Sequence, residues 1–244
     1  MAWLTVLGIP AAVYVASMTA LMFYLGERTQ NLVVLLGAGF LTAGIYIFHR
    51  TSIAAVEPMQ TRHRLAVRHK HLLRGISWCL LASATTALAL HHLLSALLVF
   101  GAVVGIILYG RKTITKPIRE VLVLKPLAVG IAIGLFAWAL NDFANSIAVF
   151  IAFVLICSAD ALLCDVEDCA YDSASGCTTL ASKYGARGAW FIAGMLYMFA
   201  AICLQSDVGF LFLVLFFIPL LLQNSTRTAV DLRPLLVLLI AWSL

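Results

Sequence analysis

Asp165, Asp168 and Asp172 are the residues of this chain whose type and spacing are best suited to chemistry. They are three and then four residues apart, so on a helix their side chains share one face within about 60°. Oxygen ligands suit a hard cation such as Mg2+, which commonly bridges carboxylates to a phosphate group of a substrate. The pattern predicts that these aspartates are both metal ligands and catalytic residues, whereas Glu167 points to the other side of the helix.

The surrounding sequence makes this cluster unusual. Five of the eleven acidic residues fall between Asp160 and Asp172, in a chain that is 63% hydrophobic and 11% charged. Carboxylates beside a bilayer are costly unless they are paired, hydrated or metal-bound. The alternative interpretation is a solvated acidic helix end that caps a membrane helix. Gly176, four residues after Asp172, is expected to end the helix or to allow a close backbone approach.

A basic segment, residues 49–74, is the second candidate for a site. It contains six Lys or Arg residues, four His residues and a single acid. Arg62, Arg64 and Arg68 are predicted to bind a diphosphate, because guanidinium groups pair with phosphate oxygens in a bidentate geometry, and Lys183 is assigned the same role. The alternative interpretation is that these cations only orient the protein in the bilayer.

Other cations and the histidines leave choices open. A metal site formed by His63, His69 and His71 is disfavoured by the flanking positive charges. Their protonation would instead strengthen diphosphate binding as the pH falls through about 6.5. Residues 110–125 could contribute a further cation, and the sequence does not discriminate among Lys116, Arg119 and Lys125.

Long apolar runs dominate the rest of the chain. Eight runs reach or approach the roughly 17–20 residues that a membrane span needs, and a ninth, after Pro234, is short. Backbone groups in lipid must be satisfied internally, and the runs show no strand alternation. The sequence therefore predicts an all-α integral membrane protein, a bundle of about nine transmembrane helices in a single domain, residues 1–244.

The basic residues are distributed on one side of this predicted topology. Of the 16 Lys and Arg residues, 15 lie on alternate loops, and only Arg28 lies on the opposite set. These four loops are residues 49–74, 110–125, 160–188 and 223–234. The positive-inside rule places them and the amino terminus in the cytoplasm. Positive charge divided among loops between spans is no argument for a nucleic-acid partner, and the lipid bilayer is the expected environment.

Smaller signals concern packing. The six cysteines lack the paired short spacings of a zinc site and are predicted to be free thiols. Gly101-x3-Gly105 and Gly130-x3-Gly134 are small-residue pairs that let membrane helices approach closely. Asn141–Asp142 has the form of a metal motif, but it lies among the short turns of the opposite face and is excluded as a ligand.

The segment from Asp165 to Gly185 resembles the second aspartate motif of the UbiA superfamily of intramembrane prenyltransferases. The matching pattern is Asp165-x2-Asp168-x3-Asp172-x3-Gly176-x2-Thr179-Leu180-Ala181-x3-Gly185. The resemblance implies nine transmembrane helices, with the motif on the cytoplasmic loop between helices 6 and 7. It also implies Mg2+ ions that hold a substrate diphosphate between two such motifs. Loss of diphosphate then gives an allylic cation that an acceptor attacks.

The first motif of that family, Asn-Asp-x2-Asp-x3-Asp, is absent. Its position, residues 46–55, has no carboxylate. The basic stretch from Arg62 to Arg74 follows at the place where the family's loop continues. We expect it to supply the positive charge that the missing motif would have recruited through a metal ion.

The sequence thus predicts a UbiA-like membrane prenyltransferase. It would transfer a prenyl group from a prenyl diphosphate to an aromatic or other lipid-pathway acceptor. The alternative is a non-catalytic relative that binds a prenyl lipid or acts as a membrane partner protein. A transporter is disfavoured, because almost no charges lie within the spans, where a transport path would need them.

Overall fold

The chain folds into helices, as the apolar runs predict. The computed structural model describes residues 2–52, 61–93, 95–110, 122–174, 176–217 and 226–243, and within these ranges there is no strand. The helices are α1 (Ala2–Val6), α2 (Ile9–Leu25), α3 (Leu32–Arg50), α4 (Thr61–Arg68), α5 (Lys70–His91), α6 (Ser95–Gly110), α7 (Leu124–Leu140), α8 (Ile147–Ala174), α9 (Leu180–Leu204), α10 (Asp207–Phe216) and α11 (Thr226–Ser243).

Four of these helices, α3, α5, α8 and α9, are each long and apolar enough to cross a membrane. Four others, α2, α6, α7 and α10, are apolar but shorter in their described parts. An all-helical membrane protein is therefore confirmed, and the number of nine spans stays a prediction.

α8 lies at the centre of the bundle and packs against α7, α9 and α11. The largest core cluster includes Met18, Phe153, Ile156 and Phe212, which are at most 1% exposed. Large apolar side chains on the outside of the bundle are strongly exposed, including Phe100, Phe191 and Phe210. An apolar outer surface around an apolar core suits a helical bundle surrounded by lipid.

The acidic segment is helical, which corrects the prediction of a loop over residues 160–188. α8 continues through Asp172 and ends at Ala174, and α9 begins at Leu180. No Gly or Pro interrupts the 28 residues of α8, whose length of about 42 Å exceeds the hydrocarbon thickness of about 30 Å. α8 is therefore longer than a single membrane crossing requires, and Asp168 and Asp172 lie near its carboxyl end.

The two ends of the chain also differ from the sequence predictions. The first predicted run is divided at Gly8, which adopts a φ of +69° between α1 and α2. The last helix begins at Thr226, so Pro234 lies inside α11 rather than before it. Arg227, Asp231 and Arg233, which the sequence analysis placed in a loop, therefore lie on α11.

The two small-residue pairs differ in how closely another helix approaches them. A Cβ built on Gly130 would lie 2.1 Å from Oγ of Ser158 and 2.5 Å from the carbonyl oxygen of Val154, and one on Gly134 would lie 3.0 Å from the Val154 side chain. The predicted close approach is therefore confirmed for α7 and α8. At Gly101 and Gly105 the same Cβ meets nothing within 4 Å among the described residues, so no close contact is found there.

We expect Gly130→Ala to lower stability by about 1–3 kcal/mol, because an added methyl group overpacks the α7–α8 contact. Gly101→Ala is the matched control in another helix. It should leave stability unchanged or raise it slightly, since Ala has the higher helix propensity. Unfolding in detergent measures both variants, and equal stability for the two would contradict this packing.

Candidate functional site

Lys125 bridges two of the three predicted aspartates. It lies in the first turn of α7, which the Gly130 contact holds against α8. Its ammonium group lies 2.8 Å from Oδ1 of Asp165 and donates a hydrogen bond to Oδ2 of Asp172, also at 2.8 Å. The two carboxylates are buried and the lysine side chain is 17% exposed. A protein cation thus lies between the first and third aspartates.

Asp168 pairs with two arginines from other helices. One carboxylate oxygen accepts a hydrogen bond from Arg62 of α4, and the other accepts one from Nη1 of Arg227 at 2.9 Å. The backbone N–H of Arg227 donates to Oε1 of Glu167 at 2.7 Å, which fixes the start of α11 on α8. These contacts gather α4, α8 and α11 at the same end of the bundle.

Arg50 and His63 lie beside these ion pairs. Arg50 ends α3 and is 5% exposed. Its Nη2 donates to the Tyr46 hydroxyl, and its guanidinium carbon lies 4.3 Å from the centre of that ring. Nε and Nη1 of Arg50, Nε of Arg62 and Nδ1 of His63 are buried without a hydrogen-bond partner among the described residues. The cluster thus contains polar nitrogens that no described residue satisfies.

His63 does not titrate in the expected range. Its ring contacts the Tyr171 ring at an interplanar angle of 53°, with 4.8 Å between ring centres. Burial, together with the positive charges of Arg50 and Arg62, lowers the pKa of His63 to about 4 from an unperturbed value of about 6.5. His63 is therefore neutral at physiological pH, and the predicted gain of positive charge near pH 6.5 does not apply to it.

The structure separates the sequence-predicted site residues into two groups. Asp165, Asp168, Asp172 and Arg62 lie within the charged cluster. The other members of the predicted set are exposed and lie outside it: Arg64, Arg68 and Lys183. On α4, residues 62, 63 and 66 form the buried face, so Arg64 and Arg68 point away from it. The ammonium group of Lys183 lies 5.3 Å from the centre of the Tyr184 ring.

Sequence reasoning missed Arg50 and Arg227 as site residues. Arg50 follows directly on an apolar run, and a cation at the end of a membrane span has the ordinary explanation of orientation in the bilayer. Lys125 was one of three candidates in its loop, and the other two, Lys116 and Arg119, lie outside the described residues. Only the tertiary packing, with α7 and α11 against α8 and α3 against α4, brings these cations together.

The donor set does not match the predicted metal centre. Among the described ranges, no group of three His, Cys, Asp or Glu residues could hold a metal ion. Asp165 and Asp172 converge on an ammonium group, while Asp168 is turned toward guanidinium groups. A single Mg2+ bound by all three aspartates does not fit this arrangement, because their oxygen atoms serve different cations.

The end of the motif has a structural role. Gly176 has a φ of +79° and follows the end of α8, as predicted. Thr179 caps α9 through a reciprocal pair of hydrogen bonds with Ser182. Gly185 has non-helical dihedrals and kinks α9. These residues set the path of the chain from α8 to α9.

A second polar cluster lies deeper in the bundle, around Asp160. Its carboxylate accepts hydrogen bonds from the Tyr14 hydroxyl at 2.7 Å, from Nη1 of Arg233 at 2.7 Å and from the Tyr197 hydroxyl. All four side chains are at most 5% exposed. Asp160 lies about 7.5 Å along α8 from Asp165. This cluster joins α2, α8, α9 and α11 inside the core.

The cysteines and Asn141–Asp142 are the smaller sequence features that remain. The six cysteines are free thiols. At the end of the bundle away from the charged cluster, Asp142 pairs with Arg28 at 2.7 Å. Asn141 is buried and donates to the carbonyl oxygen of Met22 at 3.3 Å. Asn141–Asp142 therefore has a packing role.

Known structures share this architecture. A UbiA homolog from Archaeoglobus fulgidus bound to GPP and Mg2+ has a TM-score of 0.72 at 14% identity, over 100% of this chain and 99% of the other. The UbiA homolog from the same organism bound to DMAPP and Mg2+ has a TM-score of 0.69 at 15% identity, over 100% of this chain and 98% of the other. The apo UbiA homolog from Aeropyrum pernix K1 has a TM-score of 0.65 at 13% identity, over 97% of this chain and 99% of the other.

No protein-family model and no curated protein matches the sequence. The likeness in three dimensions extends over nearly the whole of each chain, although identity is low. The chain therefore has the fold of the UbiA homologs.

Proposed function

We propose that this protein is a membrane prenyltransferase that binds the diphosphate of a prenyl diphosphate at the charged end of α8. The observation that carries the proposal is a cluster of buried cations and aspartates at one end of an apolar bundle, in a fold shared with proteins solved with DMAPP or GPP. The prenyl chain would extend into the apolar bundle. By the positive-inside rule, the charged end and the amino terminus face the cytoplasm.

The chemistry assigned to the cluster is stabilisation of a leaving group. The bond between the allylic carbon and the diphosphate oxygen breaks, and its electron pair stays on the diphosphate. An aromatic or other lipid-pathway acceptor then forms a bond to that carbon and loses a proton. Arg50, Arg62 and Lys125 are placed to stabilise the negative charge that develops on the diphosphate, since preorganised cations act most strongly in a buried site.

A non-catalytic relative is the second candidate function. The pairing of all three aspartates with protein cations favours it, because a cluster already neutralised resembles a binding site that has lost its metal chemistry. Such a protein would hold a prenyl lipid or act as a membrane partner without turnover.

A substrate assay distinguishes the two candidates. Purified full-length protein is given labelled geranyl diphosphate, excess Mg2+ and a panel of aromatic and lipid acceptors. Acceptor-dependent release of diphosphate is expected for the transferase. Binding without release for any acceptor would favour the second candidate, and failure to bind prenyl diphosphates of several lengths would contradict both.

We expect Arg62→Gln to weaken geranyl diphosphate binding about tenfold or more, because a charge-assisted hydrogen bond contributes about 1.5–3 kcal/mol. Arg68→Gln, on the exposed face of the same helix, should change the affinity much less. Calorimetric titration of both variants tests this, with circular dichroism to confirm folding. Equal losses would show that the buried face of α4 is not the binding face.

A further inference from the structure

Lys125 occupies the point on which two carboxylates of α8 converge. Its ammonium group lies 2.8 Å from an oxygen of each carboxylate. Mg2+ needs oxygen ligands at about 2.0–2.1 Å in near-octahedral geometry. To bind between Asp165 and Asp172, it would have to displace a cation that is held in place by the backbone of α7.

The packing beneath Lys125 keeps it there. Gly130, five residues later on α7, lies against the backbone of α8 at Val154 and the side chain of Ser158, with no room for a Cβ. The first turn of α7 is consequently fixed beside the acidic face of α8, and the lysine side chain is only 17% exposed. Helix packing therefore holds the positive charge of Lys125 between the two aspartates.

Arg50, near Arg62 and His63, is a second unusual cation. Arg50 is 5% exposed and forms no ion pair within hydrogen-bond distance among the described residues, although its charge acts on Asp168. Two of its nitrogen donors have no hydrogen-bond partner among these residues. Arg62 and Arg227 lie close enough to repel it electrostatically. A buried donor left without an acceptor is unfavourable, because it has lost its hydrogen bonds to water. A ligand with several anionic oxygens would satisfy these donors and offset the repulsion.

We propose that this chain binds the diphosphate through its own cations, so that Lys125 and Arg50 replace divalent metal ions and binding does not require Mg2+. The inference rests on the proposed function and specifies how the same site works. Each phosphate oxygen would receive hydrogen bonds from fixed guanidinium and ammonium groups. The aspartates would position those groups and would not act as metal ligands.

Calorimetric titration of the full-length protein with geranyl diphosphate, in EDTA and in excess Mg2+, tests this inference. For the wild type we expect affinities that agree within about threefold. Lys125→Met should lose about tenfold or more in EDTA, a loss equivalent to one charge-assisted hydrogen bond. Added Mg2+ should restore part of this affinity, because the substitution removes the ammonium group that lies between Asp165 and Asp172.

Lys125→Arg keeps the positive charge and should retain binding in EDTA, which separates a folding defect from loss of a ligand. Arg187→Met, at an exposed position of α9, is the control for removal of a surface charge and should bind like the wild type. Binding by the wild type only in the presence of Mg2+, or full affinity of Lys125→Met in EDTA, would overturn the inference and leave the proposed function intact. No binding of prenyl diphosphates under either condition would overturn the proposed function itself.

Discussion

Replacing Arg50 with Met is expected to weaken prenyl diphosphate binding by about 10- to 150-fold, the equivalent of roughly 1.5–3 kcal/mol for a hydrogen bond to a charged group. The same substitution should leave the free energy of unfolding unchanged or increase it. Arg50 is buried beside Arg62 and Arg227, and its Nε and Nη1 have no partner among the described residues. Met fills most of the volume and removes both the repulsion and the unsatisfied donors.

Two measurements on the same protein test this expectation. Calorimetry with geranyl diphosphate gives the affinity, and denaturant unfolding in detergent without ligand gives the stability. Arg187→Met is the matched control, since it makes the same substitution at an exposed site, and it should change neither quantity. An Arg50→Met protein that binds normally but unfolds more easily would show that Arg50 serves the fold and not the ligand.

Replacing Arg233 with Met is expected to destabilise the fold by about 3–5 kcal/mol, because it leaves the Asp160 carboxylate buried without its cation. Arg233 is 1% exposed and Asp160 is 3% exposed, and Nη1 lies 2.7 Å from Oδ1. The hydroxyl groups of Tyr14 and Tyr197 would still donate to the carboxylate. Neutral donors do not replace a full charge in an apolar core.

A double substitution tests whether the uncompensated charge is the cause. Asp160→Asn combined with Arg233→Met should be more stable than Arg233→Met alone, since no buried charge remains. Unfolding of the two variants and the wild type in the same detergent gives the comparison. A double variant that is less stable than Arg233→Met would mean that Arg233 stabilises the bundle by packing and not by pairing with Asp160.

The acidic face of α8 was foreseeable from the sequence, and its partners were not. Spacing of three and four residues places carboxylates on one helical face in any α-helix, because the helix repeats every 3.6 residues. The cations that pair with them come from α4, α7 and α11. Arg62 lies 106 residues from Asp168 along the chain, and Lys125 lies 47 residues from Asp172. No local pattern encodes contacts at such separations.

In the basic helix α4, too, the sequence predicted only part of what the structure shows. Composition identified a segment rich in Arg and His, but every arginine in it was equally suitable. Packing of α4 against α1, α3 and α5 buries Arg62 and His63 and leaves Arg64 and Arg68 exposed. A short helix with cations on several faces has no sequence signal that tells the buried face from the solvent face.

The sequence by itself determined that the chain lies in lipid and that its basic residues lie on one side of the predicted topology. Apolar runs require helices in lipid, since backbone groups there have no other partners. The one-sided distribution of Lys and Arg placed the charged segments on one side of the predicted topology, and in the structure ion pairs join α4, α7 and α11 to α8. The tertiary structure alone decided that Lys125 lies between Asp165 and Asp172, and that Arg50 is buried with unsatisfied donors. Both follow from how closely neighbouring helices pack, which depends on side chains far apart in the chain.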